Sequence, residues 1–112
     1  MQDQNRANAL CAPFAGVELS QPFGPESEVW KVAGKIFAVT SAAGTCVKTD
    51  SVETAALVIE MGRAERAPYF HRSWVLVPHG RVEEDELAER IACSYALIRA
   101  SLPRKVQAAL GG

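Results

Sequence analysis

An α+β domain, with helices segregated on one side of an antiparallel sheet, is the fold class that three observations predict. Short strand-like segments crowd residues 17–48, separated by turns rich in Gly and Pro, which is the pattern of an antiparallel meander. Apolar residues then recur at three- and four-residue spacing in two later segments, with one more strand-like run between them. The chain has 112 residues, 48% hydrophobic and 22% charged, enough for one core without staples. A single domain over 1–112 follows, with residues 1–16 as a short helix and connection and 17–110 as the core.

Each element has a local cause. Asn5, Arg6, Ala7, Ala9, Leu10 and Cys11 suit a short helix that ends before Pro13, with Leu10, Cys11 and Phe14 as its buried contacts. Val17–Phe23 reads as a strand closed by Pro22, Gly24 and Pro25. Val29–Val32 and Lys35–Thr40 flank Ala33-Gly34, a tight hairpin because Gly34 accepts positive φ. Trp30 and Val32 fall on one face and Lys31 on the other. Ser41–Gly44 turns the chain into a third strand, Thr45–Lys48. Asp50 and Glu53 form a capping-box spacing for a helix over Ser51–Met61, with Val52, Ala55, Ala56 and Ile59 as its buried face and Gly62 as its stop. A loop through Pro68 leads to the strand Ser73–Val77, halted by Pro78-His79-Gly80. Glu83–Glu86 then opens a long helix whose Leu87, Ile91, Tyr95, Ile98 and Leu102 share one stripe. Pro103 starts a short final helix to Leu110.

Composition excludes several function classes. The net charge of -1 rules out coating nucleic acid by bulk charge alone. The longest apolar run, Ala55–Ile59, is far too short to span a membrane. Cys11, Cys46 and Cys93 form no CxxC pair, which favours reduced thiols. The polar residues 1–5 lack a following apolar run, so no secretory leader is expected. A soluble, cytoplasmic protein is the expectation.

Motif chemistry is sparse. His71 and His79 stand eight apart with Cys46 and Cys93 distant, so no metal-ligand spacing appears. The acidic run 83–86 matches the positive end of a helix dipole. No GxSxG elbow, Gly-rich phosphate loop or HExxH is present, and no cofactor or catalytic residue is nominated. Charge, however, is segregated. Between Val29 and Val82 seven cations face four carboxylates, whereas residues 83–90 carry five carboxylates against Arg90. Tyr69-Phe70-His71-Arg72-Ser73-Trp74 interleaves aromatic rings with a cation, a pairing that suits phosphates and stacked bases as well as ordinary packing.

Pro22-Phe23-Gly24, the run Val29–Ala38, Trp74, and the tail Ser94–Lys105 together resemble the MmcQ/YjbR family over roughly Val17 to Leu110. The resemblance implies a CyaY-like, double-wing α+β fold and a non-enzymatic DNA-binding protein. By position it points to Lys31 and Lys35 on the hairpin, Lys48 at a strand end and Arg72 before the tryptophan as phosphate contacts, and Arg104 and Lys105 are expected to contribute from the last helix. Binding of that kind is mainly electrostatic and weakly sequence-selective. The alternative on the same fold is a protein-interaction or small-ligand adaptor with a working groove and no nucleic-acid role. The placement of the cations discriminates between them: Lys31, Lys35, Lys48 and Arg72 on one convex face favour the DNA reading, and scattered cations count against it.

Overall fold

The structure, a computed structural model, describes residues 2–111. Its elements are α1 (Gln4–Cys11), β1 (Val17–Ser20), β2 (Glu28–Val32), β3 (Lys35–Ser41), β4 (Gly44–Lys48), α2 (Val52–Glu60), β5 (Glu65–Arg66), β6 (Trp74–Pro78), α3 (Glu84–Ala100) and α4 (Arg104–Leu110). The strands form one six-stranded antiparallel sheet in the order β1-β2-β3-β4-β6-β5, and α1 and α3 pack on one face of it. This is the expected α+β class.

Four details differ from the sequence reading. β1 stops at Ser20, paired with Val29, and the chain leaves the sheet before Pro22, which has no N–H for a ladder. A two-residue strand, β5, adds an edge beside β6; two residues carry no periodicity to detect. The cap of α2 is Ser51, whose side chain accepts from the Thr54 amide. On that helix Val58 is buried and Ala56 is exposed, because the apolar stripe runs through Ala55 and Val58.

The hairpin between β2 and β3 is irregular. Its turn has Ala33 at φ 49 and Gly34 at φ 81, both left-handed, which matches the twist of a two-residue connection. The register then passes from Trp30↔Ala38 to Lys31↔Ile36, so Phe37 is an extra residue on β3. The bulge turns Phe37 toward the helices, where its ring meets Tyr95 at 5.3 Å and Phe14 at 6.1 Å. It also ends the regular β3–β4 ladder at Ala38↔Val47. The buried hydroxyl of Ser94, on α3, fills the gap by accepting from the Lys48 amide (2.9 Å) and donating to the Phe37 carbonyl (2.6 Å).

The core lies between the sheet and the helices, with Trp30, Val32, Phe37, Val47, Val75 and Val77 facing Leu87, Ile91, Tyr95 and Ile98. Asn8 anchors α1 on the same face. Its carboxamide oxygen accepts from Trp30 Nε1 (2.8 Å) and Thr40 Oγ1 (2.6 Å), and its amide nitrogen donates to Glu28 (3.0 Å). Ser94→Ala leaves two backbone groups at the bulge without their partner. The expected loss is about 2 kcal/mol of unfolding free energy, read as a lower urea midpoint at unchanged slope. A midpoint equal to that of the parent would remove the hydroxyl from the support of the bulge.

Candidate functional site

All six sequence-nominated cations belong to elements that meet at one end of the sheet. The antiparallel register brings the Ala33-Gly34 turn, the last residue of β4 and the first of β6 to that end. The C-terminus of α3 reaches it as well, since Lys35 Nζ lies 3.4 Å from Ser101 Oγ. Lys31 and Lys35 flank the hairpin tip, Lys48 closes β4, Arg72 precedes β6, and Arg104 and Lys105 open α4.

These cations share an end and not a face. Lys31 pairs with Ile36 on the outward side of the sheet, whereas Lys35 pairs with Val32, whose side chain is in the core. The extra residue at Phe37 sets this alternation. The Lys48 ammonium donates to Ser73 Oγ at 2.8 Å, and that hydroxyl also meets His71 Nδ1 at 2.9 Å.

The opposite end is acidic and cross-linked. Glu84, Asp85 and Glu86 occupy the first turn of α3, where they complement the helix dipole. Arg6 pairs with Glu84, Arg63 and Arg90 with Glu86, and Arg81 with Glu65. The hydrogen bond from Arg6 holds the Glu84 carboxyl below its ordinary range. Two of these arginines, Arg63 and Arg81, lie in the half of the sequence with a positive excess, and the fold neutralises both. None of the six nominated cations makes an ion pair among the described residues. Lys35 and Lys48 meet neutral hydroxyls, those of Ser101 and Ser73.

A second feature escapes the sequence reading. The register aligns Val29, Val39, Cys46 and Leu76 across the outward face of the sheet. Part of that row floors a groove of about 630 Å³, bounded by Phe23 from one loop and Tyr69 and Phe70 from another. Phe70 is spent on Trp74, with rings stacked at 4.6 Å. Phe23 stays 69% exposed, and Tyr69 is fully exposed at φ 70, a backbone region costly for a bulky residue. The available signal was position: Phe23 sits between Pro22 and Gly24, and Tyr69 follows Pro68. Large rings in such turns have little chance to bury themselves. A larger groove of about 960 Å³ runs between α2 and α3, lined by charges of both signs that include Asp50, Glu89, Arg63 and Arg90.

Comparison with known proteins places the chain. The family model described as YjbR matches residues 12–97. The crystal structure of Deinococcus radiodurans protein DR2400, described as a DUF419 domain, superposes with a TM-score of 0.84 at 21% identity. The match covers 99% of this chain and 89% of that one, and it shows a shared fold. No curated protein matches the chain.

The three thiols differ in environment. Burial pushes Cys11 up to about 12 and Cys46 up to about 11, because a buried thiolate loses its hydration. Cys93 is exposed on α3. At pH 8 the solution lies well below the raised value of Cys46, so its thiol stays protonated and a poor nucleophile. Iodoacetamide at pH 8 is therefore expected to label Cys93 first, Cys46 at the groove floor far more slowly, and Cys11 only under denaturant. Peptide mass spectrometry checks this, and rapid native labelling of the buried Cys11 would show that α1 lifts from the sheet.

Proposed function

The chain belongs to the YjbR family, and from that premise we propose that it is a non-enzymatic DNA-binding protein that grips the phosphate backbone with its basic end. One observation carries this reading. Among the described residues Arg6, Arg63, Arg81 and Arg90 are taken by ion pairs, while Lys31, Lys35, Lys48, Arg72, Arg104 and Lys105, at the other end, make none. Clustered cations without internal partners favour a polyanion, because each phosphate they neutralise releases condensed counterions.

The arrangement also suits a backbone more than a base edge. Lys31 and Lys35 flank a two-residue turn on opposite faces of the hairpin, so the tip offers a cation to a backbone passing on either side. Lysine is a flexible point charge, which positions phosphates and reads little sequence. The end is positive by excess, since Glu18 stands across from Lys31 and Asp50 follows Lys48 by two residues.

Fluorescence anisotropy with labelled DNA at about 50 and about 200 mM salt tests the proposal. Affinity is expected to fall steeply over that range. Replacing Lys31 and Lys35 together by Ala lowers the salt slope by about 1 to 2, and Arg81→Ala leaves it unchanged. An unchanged slope in the double variant, or no binding at the lower salt, overturns the reading.

A further inference from the structure

We propose that the groove on the outward face of the sheet accepts unpaired bases, so that single-stranded DNA is the ligand this protein prefers over duplex. The inference rests on the phosphate-binding reading and adds to it a place for the bases. Ile36, Val39, Cys46 and Leu76 give the groove an apolar floor, and the exposed rings of Phe23 and Tyr69 stand at its edges. Neither ring meets another aromatic ring among the described residues, whereas Phe14, Phe37, Tyr95, Phe70 and Trp74 all do, stacked or edge to face. The π-faces of Phe23 and Tyr69 are thus available to a flat partner.

Tyr69 is informative in a further way. A tyrosine at φ 70 is disfavoured, and here the conformation brings the ring no burial in return. The same loop spends its other ring, Phe70, on Trp74, which fixes the base from which Tyr69 projects. A held, solvent-facing ring beside an apolar floor is a stacking platform.

Charge selects among flat ligands. Lys31 lies on the cross-strand row of Ile36, which belongs to the groove floor, and exposed Arg72 follows Phe70 by two residues. Neither makes an ion pair among the described residues. The register places two carboxylates on this face: Glu18 stands beyond Lys31, and Glu65 is bound to Arg81. A ligand with a ring for the groove and an anionic backbone for its rim meets both conditions. In a duplex the faces of each base are covered by its neighbours, so only a single strand presents them.

Three labelled probes of about 12 nucleotides decide the matter: a thymine single strand, an abasic single strand and a duplex. Direct anisotropy at about 100 mM salt is expected to show the thymine strand bound about tenfold more tightly than the abasic strand and more tightly than the duplex. A duplex bound as tightly as the thymine strand overturns the preference. Phe23→Ala with Tyr69→Ala brings the thymine strand to the abasic affinity and leaves the abasic strand unchanged. Both side chains are exposed, so the thermal midpoint of this variant stays at the parent value. Tyr69→Phe retains the ring and with it the preference. Equal binding of thymine and abasic strands by the parent overturns the groove and leaves the phosphate reading standing; that result would turn attention to a protein or small ligand in the groove. Absence of binding to all three probes at about 50 mM salt overturns both readings.

Discussion

The hydroxyl of Ser94 holds together what the bulge at Phe37 takes apart. One extra residue on β3 interrupts the β3–β4 ladder and leaves the Phe37 carbonyl and the Lys48 amide facing a helix instead of each other's strand. A serine that is buried in the middle of α3 satisfies both. Helix and sheet are therefore joined by directional bonds at the point where the ladder fails, in addition to the apolar contacts around it. The same bulge turns the Phe37 ring into the cluster with Phe14 and Tyr95, so the interruption strengthens the core that it disturbs.

The bulge also decides what the outward face looks like. Beyond it, Ile36 takes its place on that face beside Lys31, and Lys35 swings to the helix side within reach of Ser101. Without the extra residue the alternation would reverse, and an isoleucine would leave the groove floor. The charge layout has a second cause in α3. Its dipole favours the carboxylates of its first turn and Arg99 in its last, so part of the segregation serves the helix itself. Lys31 and Arg72 lie on a strand and a loop, and no helix end accounts for them.

Most of the fold was legible because its signals are local. The stripe Leu87, Ile91, Tyr95, Ile98 and Leu102 marks a helix on sight, and all five residues are buried in the structure. Ala33-Gly34 marks a hairpin by backbone chemistry alone. The features that escaped are set at a distance. Phe37 sits in a continuous apolar run in the sequence, and the hydroxyl that satisfies the carbonyl at its bulge comes from residue 94. Likewise Arg63 and Arg81 count as cations along the chain, and their neutralisation by Glu86 and Glu65 depends on contacts that no spacing encodes. The six cations were named by type and by family resemblance. Their convergence on one end of the sheet is a property of the topology.

That layout has a mechanical consequence. A rigid body with free cations at one end and carboxylates around the start of α3 at the other is an electric dipole, even though its net charge is only -1. In a non-uniform field it feels a torque and a pull despite being almost neutral. Rotational alignment then precedes contact, and the fraction of encounters that begin in one orientation rises. A nearly neutral protein gains directed approach in this way without the indiscriminate stickiness of a basic one.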